Sequence, residues 1–275
     1  MDQNPLWLVT GVSSGLGRAI ALGALEAGFR VAGTVRKDAD VAAFEALAPG
    51  RAIAVLLDVS EHDTIAGVID RIEREVGPIG VLVNNAGYGH EGAVENVSIA
   101  EFKALFDANL FGMIAVSQAV IPHMRARGAG RIINISSITA ISASGGIGAY
   151  NSSKAAMNCI SEVLSKELAP FGIRVSYILP GSFRTDWAGR SLKRNERVPY
   201  PHLQESSDAR RKRDGAQAGD PKKFAAITLE LAAMDDPPVT LVISPNAVQA
   251  YRYRAALMVE QADRFPALSA DTDFD

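Results

Sequence analysis

Three side chains can do chemistry by type and spacing: Ser137, Tyr150 and Lys154. Tyr150 and Lys154 stand four residues apart, which puts them on one helix face, one turn apart. Ser137 follows the run Arg131-Ile132-Ile133-Asn134-Ile135, which reads as a buried parallel strand ending at the Ser136-Ser137 pair. A phenol, an ammonium and a hydroxyl then meet at one sheet edge, where open α/β sheets place ligands. A free tyrosine ionises near pH ~10, too high for a base at neutral pH. A neighbouring ammonium favours the phenolate, so Lys154 is expected to lower the Tyr150 pKa. A phenol tuned this way passes a proton to or from an alcohol oxygen, which Ser137 can hold by a hydrogen bond. Interconverting an alcohol and a ketone also needs a hydride partner. Tyr-x-x-x-Lys arises by chance, so the pair gains meaning only beside a nucleotide site.

A candidate nucleotide site opens the chain. Leu6-Trp7-Leu8-Val9-Thr10 reads as an apolar strand running into Gly11-Val12-Ser13-Ser14-Gly15-Leu16-Gly17. A helix follows through Ala19, Ile20, Leu22 and Leu25 and ends at Gly28. Glycines in such a turn let backbone approach a phosphate, and the helix N-terminus favours the anion. The same residues fit the nucleophile elbow Gly-x-Ser-x-Gly, with Ser13 as nucleophile. A hydrolase would also need a later acid and histidine. Only His62, His90, His123 and His202 are available, none at an obvious strand end. The elbow also falls on the first strand, so the phosphate cradle is preferred. The second strand, Arg30 to Val35, leads into Arg36-Lys37 with no acid before Asp38. An acid there would suit the 2′-hydroxyl of NAD, whereas Arg36 suits the 2′-phosphate of NADP.

Strands and helices go on alternating. Ala52 to Leu57 is a third strand ending in Asp58-Val59, and Val81 to Val83 a fourth ending in Asn84-Asn85-Ala86-Gly87. One helix is expected from Ile99 to Met124, with Asn109 in its middle, where asparagine is mildly unfavourable and a polar task is plausible. Beyond the Tyr150 helix, the strand Val175 to Leu179 meets Pro180-Gly181. Residues 182–219 lose apolar periodicity and hold nine Lys/Arg against five Asp/Glu. A loop of this length is expected to be a lid or disordered, and its run Arg210-Arg211-Lys212-Arg213 to be a solvated face. A helix from Asp220-Pro221 to Met234, a strand Thr240 to Ile243 and a helix Pro245 to Ala262 complete the pattern, with a loose tail over 263–275. There is no internal repeat or linker.

With 275 residues, 48% apolar, the chain has ample material for a core, and a net charge of −3 gives no reason for a polyanion partner. A single Cys159 rules out an intrachain disulfide framework. The first residues carry no basic n-region, and no apolar run looks long enough to span a membrane. A cytoplasmic protein without a metal site is expected.

Alternating elements behind a dinucleotide turn give an α/β fold with a doubly wound parallel sheet. Over residues 6–180, and more loosely to 262, the chain resembles the short-chain dehydrogenase/reductase family. The resemblance rests on Thr10-Gly11-x-x-x-Gly15-x-Gly17, Asp58, Asn84-Asn85-Ala86-Gly87, Asn109, Ser137, Tyr150-x-x-x-Lys154, and Pro180-Gly181 with Thr185. It implies a single-domain Rossmann enzyme over 1–262, with Tyr150 as acid/base and Ser137 orienting the carbonyl. It also implies Lys154 on the nicotinamide ribose, Asn109 holding a relay water, Thr185 at the carboxamide and Asp58-Val59 at the adenine. The remaining cofactor contacts would come from the first turn, Asn85 to Gly87 and Pro180-Gly181. Family likeness further implies a homodimer or homotetramer through the helices bearing Asn109 and Tyr150.

The segment from Phe183 to Trp187 into the C-terminal helix is similar to bacterial relatives of hydroxysteroid and retinol dehydrogenases. The turn Ile138 to Ala149, small and rich in Gly and Ser, departs from a steroid-specific pattern. The expected activity is NADP(H)-dependent interconversion of a hydrophobic ketone and a secondary alcohol. Phe183, Trp187, Ile138, Ile141 and Ile147 would wall the pocket. An anionic substrate read by Arg190, Lys193, Arg194 and Arg197 is the competing possibility, with those charges expected to be solvated. An NADP-binding sensor or scaffold, and the serine hydrolase, are the alternatives from other classes.

Overall fold

The computed structural model describes residues 5–195, 199–266 and 274. Its strands are β1 (Leu6–Val9), β2 (Val31–Val35), β3 (Ala52–Leu56), β4 (Ile79–Asn84), β5 (Gly89–Glu91), β6 (Gly130–Ile135), β7 (Ile173–Pro180), β8 (Leu192–Arg194) and β9 (Thr240–Ile243). Its helices are α1 (Gly15–Glu26), α2 (Asp38–Glu45), α3 (His62–Arg71), α4 (Ile99–Phe106), α5 (Gly112–Arg127), α6 (Gly148–Leu168), α7 (Pro201–Lys212), α8 (Pro221–Ala233) and α9 (Pro245–Asp263).

Seven strands form a sheet in the order β3-β2-β1-β4-β6-β7-β9, and every pairing is parallel. Parallel strands need both faces covered, and the sequence supplies this with runs such as Leu6-Trp7-Leu8-Val9, buried at every position. One core joins Val9, Val31 and Ile133 to Ile20 of α1 and Phe224 of α8. The other joins Leu8, Leu82 and Ile132 to Ile65 and Ile69 of α3 and Val120 and Met124 of α5. Each fully buried Leu, Ile or Phe contributes roughly 1.5–3 kcal/mol. Gly33 in β2 is glycine because a Cβ there would lie 2.5 Å from the Phe44 ring and 2.6 Å from a Val12 methyl. The order of strands reverses between β1 and β4, and a crevice at that reversal is where such sheets bind ligands.

Three expectations need correction. The helix foreseen from Ile99 to Met124 is interrupted: α4 passes through a π-helical turn, Asp107–Phe111, before α5 begins. Ser98 and Glu101 cap its start reciprocally, Ser98 Oγ accepting from Glu101 N at 3.2 Å and Ser98 N donating to Glu101 Oε2 at 2.8 Å. This stretch, Ile99–Arg127, is also long and apolar enough to cross a membrane, contrary to the reading that no run was. Its apolarity serves the core here, since Val116, Val120 and Met124 pack under the sheet.

Residues 182–219 are not an open loop. They contain β8 and α7, and a bridge from Phe183 to Gly219 closes the segment at its base. β8 pairs in parallel with β5 as a second, two-stranded sheet beside the crevice. α7 buries only Ser207, so its sequence carries no apolar period to announce it. The loose tail expected over 263–275 falls largely outside the described residues, as does Arg197.

Candidate active site

At the β1–β4 reversal the first turn is built for close backbone contact. Gly11 and Gly15 have φ of +74° and +63°, which favour glycine. A Cβ on Gly17 would fall 2.2 Å from Asn85 Nδ2 and 2.3 Å from Gly11 O, so only glycine lets α1 start so near the β4 turn. Thr10 ties the two turns together: its Oγ1 accepts from Asn85 N at 2.9 Å and Ala86 N at 3.0 Å. Asn85 Nδ2 donates back to Thr10 O and Gly11 O at 2.9 and 3.1 Å. Thr10 is buried, so its task is to hold this frame. Ser14, the residue before α1, makes no side-chain cap, and the first turn holds no acid. The helix N-terminus is thus open to an anion beside Ser13 and Leu16.

Around this turn stand the other expected contacts. Arg36 is exposed just past β2, with no ion-pair partner among the described residues. Asp58 uses Oδ1 to accept from Ser60 N at 3.0 Å and Ser60 Oγ at 2.7 Å, next to the buried Val59. Across the crevice, Thr185 lies 3.9 Å from where a Cβ on Gly15 would be. Pro180 ends β7, and Gly181 has no room for a side chain because Ser244 Oγ would be 2.3 Å from its Cβ.

The residues expected to handle the proton gather near the β4 turn. Asn109 lies in the π turn and is fully buried. Its Oδ1 accepts from Tyr88 N, and its Nδ2 donates to Tyr88 O, both at 2.9 Å, and to Ser153 Oγ at 3.1 Å. Ser153 in turn donates to Tyr150 O at 2.8 Å, so Asn109 braces the segment bearing Tyr150. Lys154 Nζ donates to Ile135 O at 2.8 Å, two residues before Ser137. It lies 3.7 Å from the Cβ position of Gly87. Ser137 Oγ accepts from Thr139 N at 3.2 Å and shares a 2.9 Å hydrogen bond with Thr139 Oγ1.

The electrostatics differ from the sequence expectation. Burial pushes the Tyr150 phenol up to about 12, and a hydrogen bond with Ser137 pulls the other way. Burial also takes the Lys154 ammonium down to about 8. Lys154 was expected to lower the Tyr150 pKa, but burial sets the direction, and the Lys154 Nζ is turned to the Ile135 carbonyl. A buried phenol that keeps its proton, beside a second hydroxyl, can donate to an oxygen that gains charge.

Comparison with known proteins agrees with this architecture. Residues 6–196 match the family described as short chain dehydrogenase. The chain belongs to the short-chain dehydrogenase/reductase family. It is an oxidoreductase. An oxidoreductase of Botryotinia fuckeliana is 35% identical over 261 residues, covering 94% of this chain and 95% of that one. An NADPH-dependent 3-dehydrocapnine reductase of Ornithobacterium rhinotracheale is 33% identical over 67% of each chain. A short-chain dehydrogenase from Streptomyces avermitilis superposes with a TM-score of 0.91 at 34% identity over 100% of both chains. A gluconate 5-dehydrogenase from Burkholderia cenocepacia, solved with NADP and tartrate, gives 0.76 at 30% identity over 90% and 96%. A family member from Burkholderia phymatum, solved with NAD, gives 0.84 at 23% over 94% and 95%, a likeness of fold.

In this member of the family the hydrolase alternative loses its partners. His62 Nε2 meets Asp107 O, His90 Nε2 meets Asn195 Oδ1, His123 Nε2 meets Asp70 Oδ1, and His202 stacks on Tyr200. Each histidine is engaged away from Ser13. Of the two expected pocket aromatics, only Trp187 is at the site, its ring centroid 5.2 Å from that of Tyr150. Phe183 instead packs edge-on against Phe224 at 5.0 Å in the sheet core. Ile147 shares the Tyr150 cluster with Trp187 and Tyr88.

Sequence reasoning missed Tyr88 and Glu91. Tyr88 follows the Asn85 to Gly87 turn and lies under the Lys193 ammonium at 4.8 Å. Its phenol is raised by burial, with Asp107 adding to that and Arg36 opposing it. Glu91 is buried between two lid arginines, Arg194 Nε at 2.9 Å and Arg210 Nε at 2.7 Å. The lid basics expected to be solvated are therefore split in role. Arg194 and Arg210 are structural, whereas Arg190 makes an exposed pair with Asp186. A lone Glu in Gly89-His90-Glu91 gave no signal, because its partners lie more than 100 residues downstream.

Proposed function

We propose that this protein is an NADP(H)-dependent carbonyl reductase or alcohol dehydrogenase acting on a hydrophobic ketone or secondary alcohol, with Tyr150 as general acid/base. The observation that carries the reading is Tyr150: buried, protonated at neutral pH, hydrogen-bonded with Ser137 and lying against Trp187. The glycine cradle, the uncapped α1 N-terminus and Arg36, without an ion-pair partner among the described residues, fit a dinucleotide carrying an extra phosphate. Ser13 to Gly17 would hold the pyrophosphate, Asp58 and Val59 the adenine end, and Asn85 to Gly87 with Pro180, Gly181 and Thr185 the nicotinamide end. When bound, the dinucleotide supplies or takes the hydride. The chain does the rest. Ser137 holds the substrate oxygen, Tyr150 moves the proton at that oxygen, Lys154 places positive charge beside the turn at Gly87, and Asn109 keeps the Tyr88 and Tyr150 backbones in register. Trp187, Tyr88 and Ile147 offer an apolar wall, which supports a hydrophobic substrate. The exposed lone thiol of Cys159 suits a reducing, cytoplasmic setting.

A panel of ketones and alcohols with NADPH and NADP, read at the reduced nicotinamide band, tests this. Aryl and long-chain ketones should outperform small keto acids, each added apolar group giving from a few-fold to ~100-fold in kcat/KM. Keto acids leading the panel would overturn the substrate class, and cofactor binding without turnover would leave a binding protein.

Arg36 carries a separate prediction. Arg36→Asp should weaken NADP and improve NAD, since a charge-assisted bond becomes repulsion. Equal use of both cofactors by the unaltered protein would contradict it.

The pH profile follows from the same groups. Tyr150, at about 12, stays loaded with its proton through neutrality, while Lys154 loses its charge as pH rises through about 8. Ketone reduction should therefore be flat below pH 8 and decline above it, while alcohol oxidation, which releases a proton, gains as pH rises. A reduction rate that climbs through pH 8 would be evidence against these assignments.

A further inference from the structure

A cavity of about 430 Å³ lies at the edge of the sheet opposite the glycine turn. All strands of a parallel sheet start at one edge, and this cavity is lined by the starts of β1, β6 and β7 and by the last turn of α8. Its apolar side is Trp7, Phe29 and Leu229, with the Trp7 and Phe29 ring centroids 5.7 Å apart. Its polar side is Arg131, Arg174 and Asp235. Among the described residues neither arginine has an ion-pair partner, Asp235 included. Arg131 Nη2 donates to Met234 O at 2.9 Å, which pins the guanidinium across the end of α8. Arg174 Nη1 reaches Ala169 O at 3.5 Å. Two buried donors in this wall, Trp7 Nε1 and Arg131 Nε, have no hydrogen-bond partner among the described residues. Buried donors are nearly always paired, so two orphans lining one cavity point to a ligand that accepts. Burial holds the Arg131 guanidinium below its usual pKa, Arg174 adds to this and Asp235 opposes it. An anion between the two arginines would relieve their repulsion.

We propose that this cavity binds a small monocarboxylate with an apolar body, at a site separate from the catalytic crevice. Charge selects the ligand. Two arginines against one aspartate leave a single positive charge to balance, which suits a monoanion better than a phosphate dianion. The planar guanidinium groups match a planar carboxylate, and Arg131 Nε is the donor still free on a side chain already fixed by Met234 O. A cation would meet the arginines, and a neutral molecule would leave their charge unmatched. The rest of the ligand lies against Trp7, Phe29 and Leu229, in a volume within the range of about 300–1,000 Å³ usual for small-molecule sites. Trp7 stands four residues before Gly11, about 13 Å along an extended chain, so the carboxylate and a dinucleotide at the first turn do not compete for space.

Calorimetric titration of the full chain with biphenyl-4-carboxylate tests the proposal. One probe should bind per chain, with NADPH present or absent. In a Trp187→Phe background Trp7 is the remaining tryptophan, and its emission should change saturably with the same probe. Arg174→Glu alters a half-buried side chain at the cavity wall, so thermal melting should be unchanged while the probe binds about ten-fold more weakly or worse. Arg131→Met should have a similar effect, and Arg131→Lys, which keeps the charge but loses Nε, a smaller one. Biphenyl-4-carboxamide and 4-(aminomethyl)biphenyl should each bind at least about ten-fold more weakly than the carboxylate. A chain that shows no saturable binding of the carboxylate up to about 1 mM overturns the proposal. So does an affinity indifferent to Arg174→Glu, an amide that binds as well as the carboxylate, or a probe that NADPH displaces.

Discussion

Replacing Tyr150 by phenylalanine is expected to lower turnover by about 100-fold or more while leaving NADPH binding intact. The substitution keeps the ring that packs on Trp187 at 5.2 Å and shares a cluster with Val97, Leu105 and Ile147. Only the phenolic oxygen goes, and Ser137 retains Thr139 as partner. The effect should therefore appear in kcat, at about 2.7 kcal/mol for 100-fold, and not in thermal stability. The proposed phosphate contacts are at the first turn, away from the phenol, so a fluorescence titration with NADPH should be close to that of the unaltered protein. A variant with near-native kcat would remove Tyr150 from its role.

Why this residue could be found in sequence, and others could not, is a matter of how far each signal reaches along the chain. The β1 strand, the glycine turn and α1 are contiguous, and each residue type answers a local demand: apolar run, positive φ, helix period. The sheet and the placement of Ser137, Tyr150 and Lys154 follow from such local signals. The Tyr150 pKa does not. Its direction depends on burial beneath Trp187, a residue 37 positions away, and desolvation reverses what the Lys154 spacing alone suggests. The lid was illegible for a related reason. α7 is polar on nearly every side and is held by Arg210 reaching Glu91, a contact 119 residues apart in sequence. Asn109 stood out as an awkward residue in a helix, and its awkwardness is relieved by a π turn that the apolar period cannot reveal. Its side chain does bind polar groups as expected, but the structure identifies them as the Tyr88 backbone and Ser153.

The same reasoning makes Glu91 the residue whose loss should most disturb the lid. Its carboxylate is 2% exposed and bridges Arg194 and Arg210, themselves 20% and 18% exposed. Arg194 sits on β8 and Arg210 on α7, so one buried acid ties both lid elements to β5, just past the Asn85 to Gly87 turn. Arg194 also donates to the carbonyls of Leu192 and Ala188, which fixes the backbone just after Trp187. Removing one partner of a buried ionic group leaves the other charges uncompensated, at a cost of about 3–5 kcal/mol. Glu91→Ala strands two arginines at once. Because the seven-stranded sheet does not rest on this contact, the cost should be met by release of the lid and not by loss of the whole fold. Limited proteolysis should then cut within 182–219 well before the sheet domain is attacked, and Trp187 emission should shift toward that of a solvated indole. Substrate KM should rise at least ten-fold, since Trp187 is no longer held against Tyr150, while affinity for NADPH at the first turn changes little. Glu91→Gln keeps the shape and the acceptor oxygen but not the charge, and should fall between the two. If Glu91→Ala resists protease like the unaltered chain and keeps its KM, the lid is held by something other than this triad.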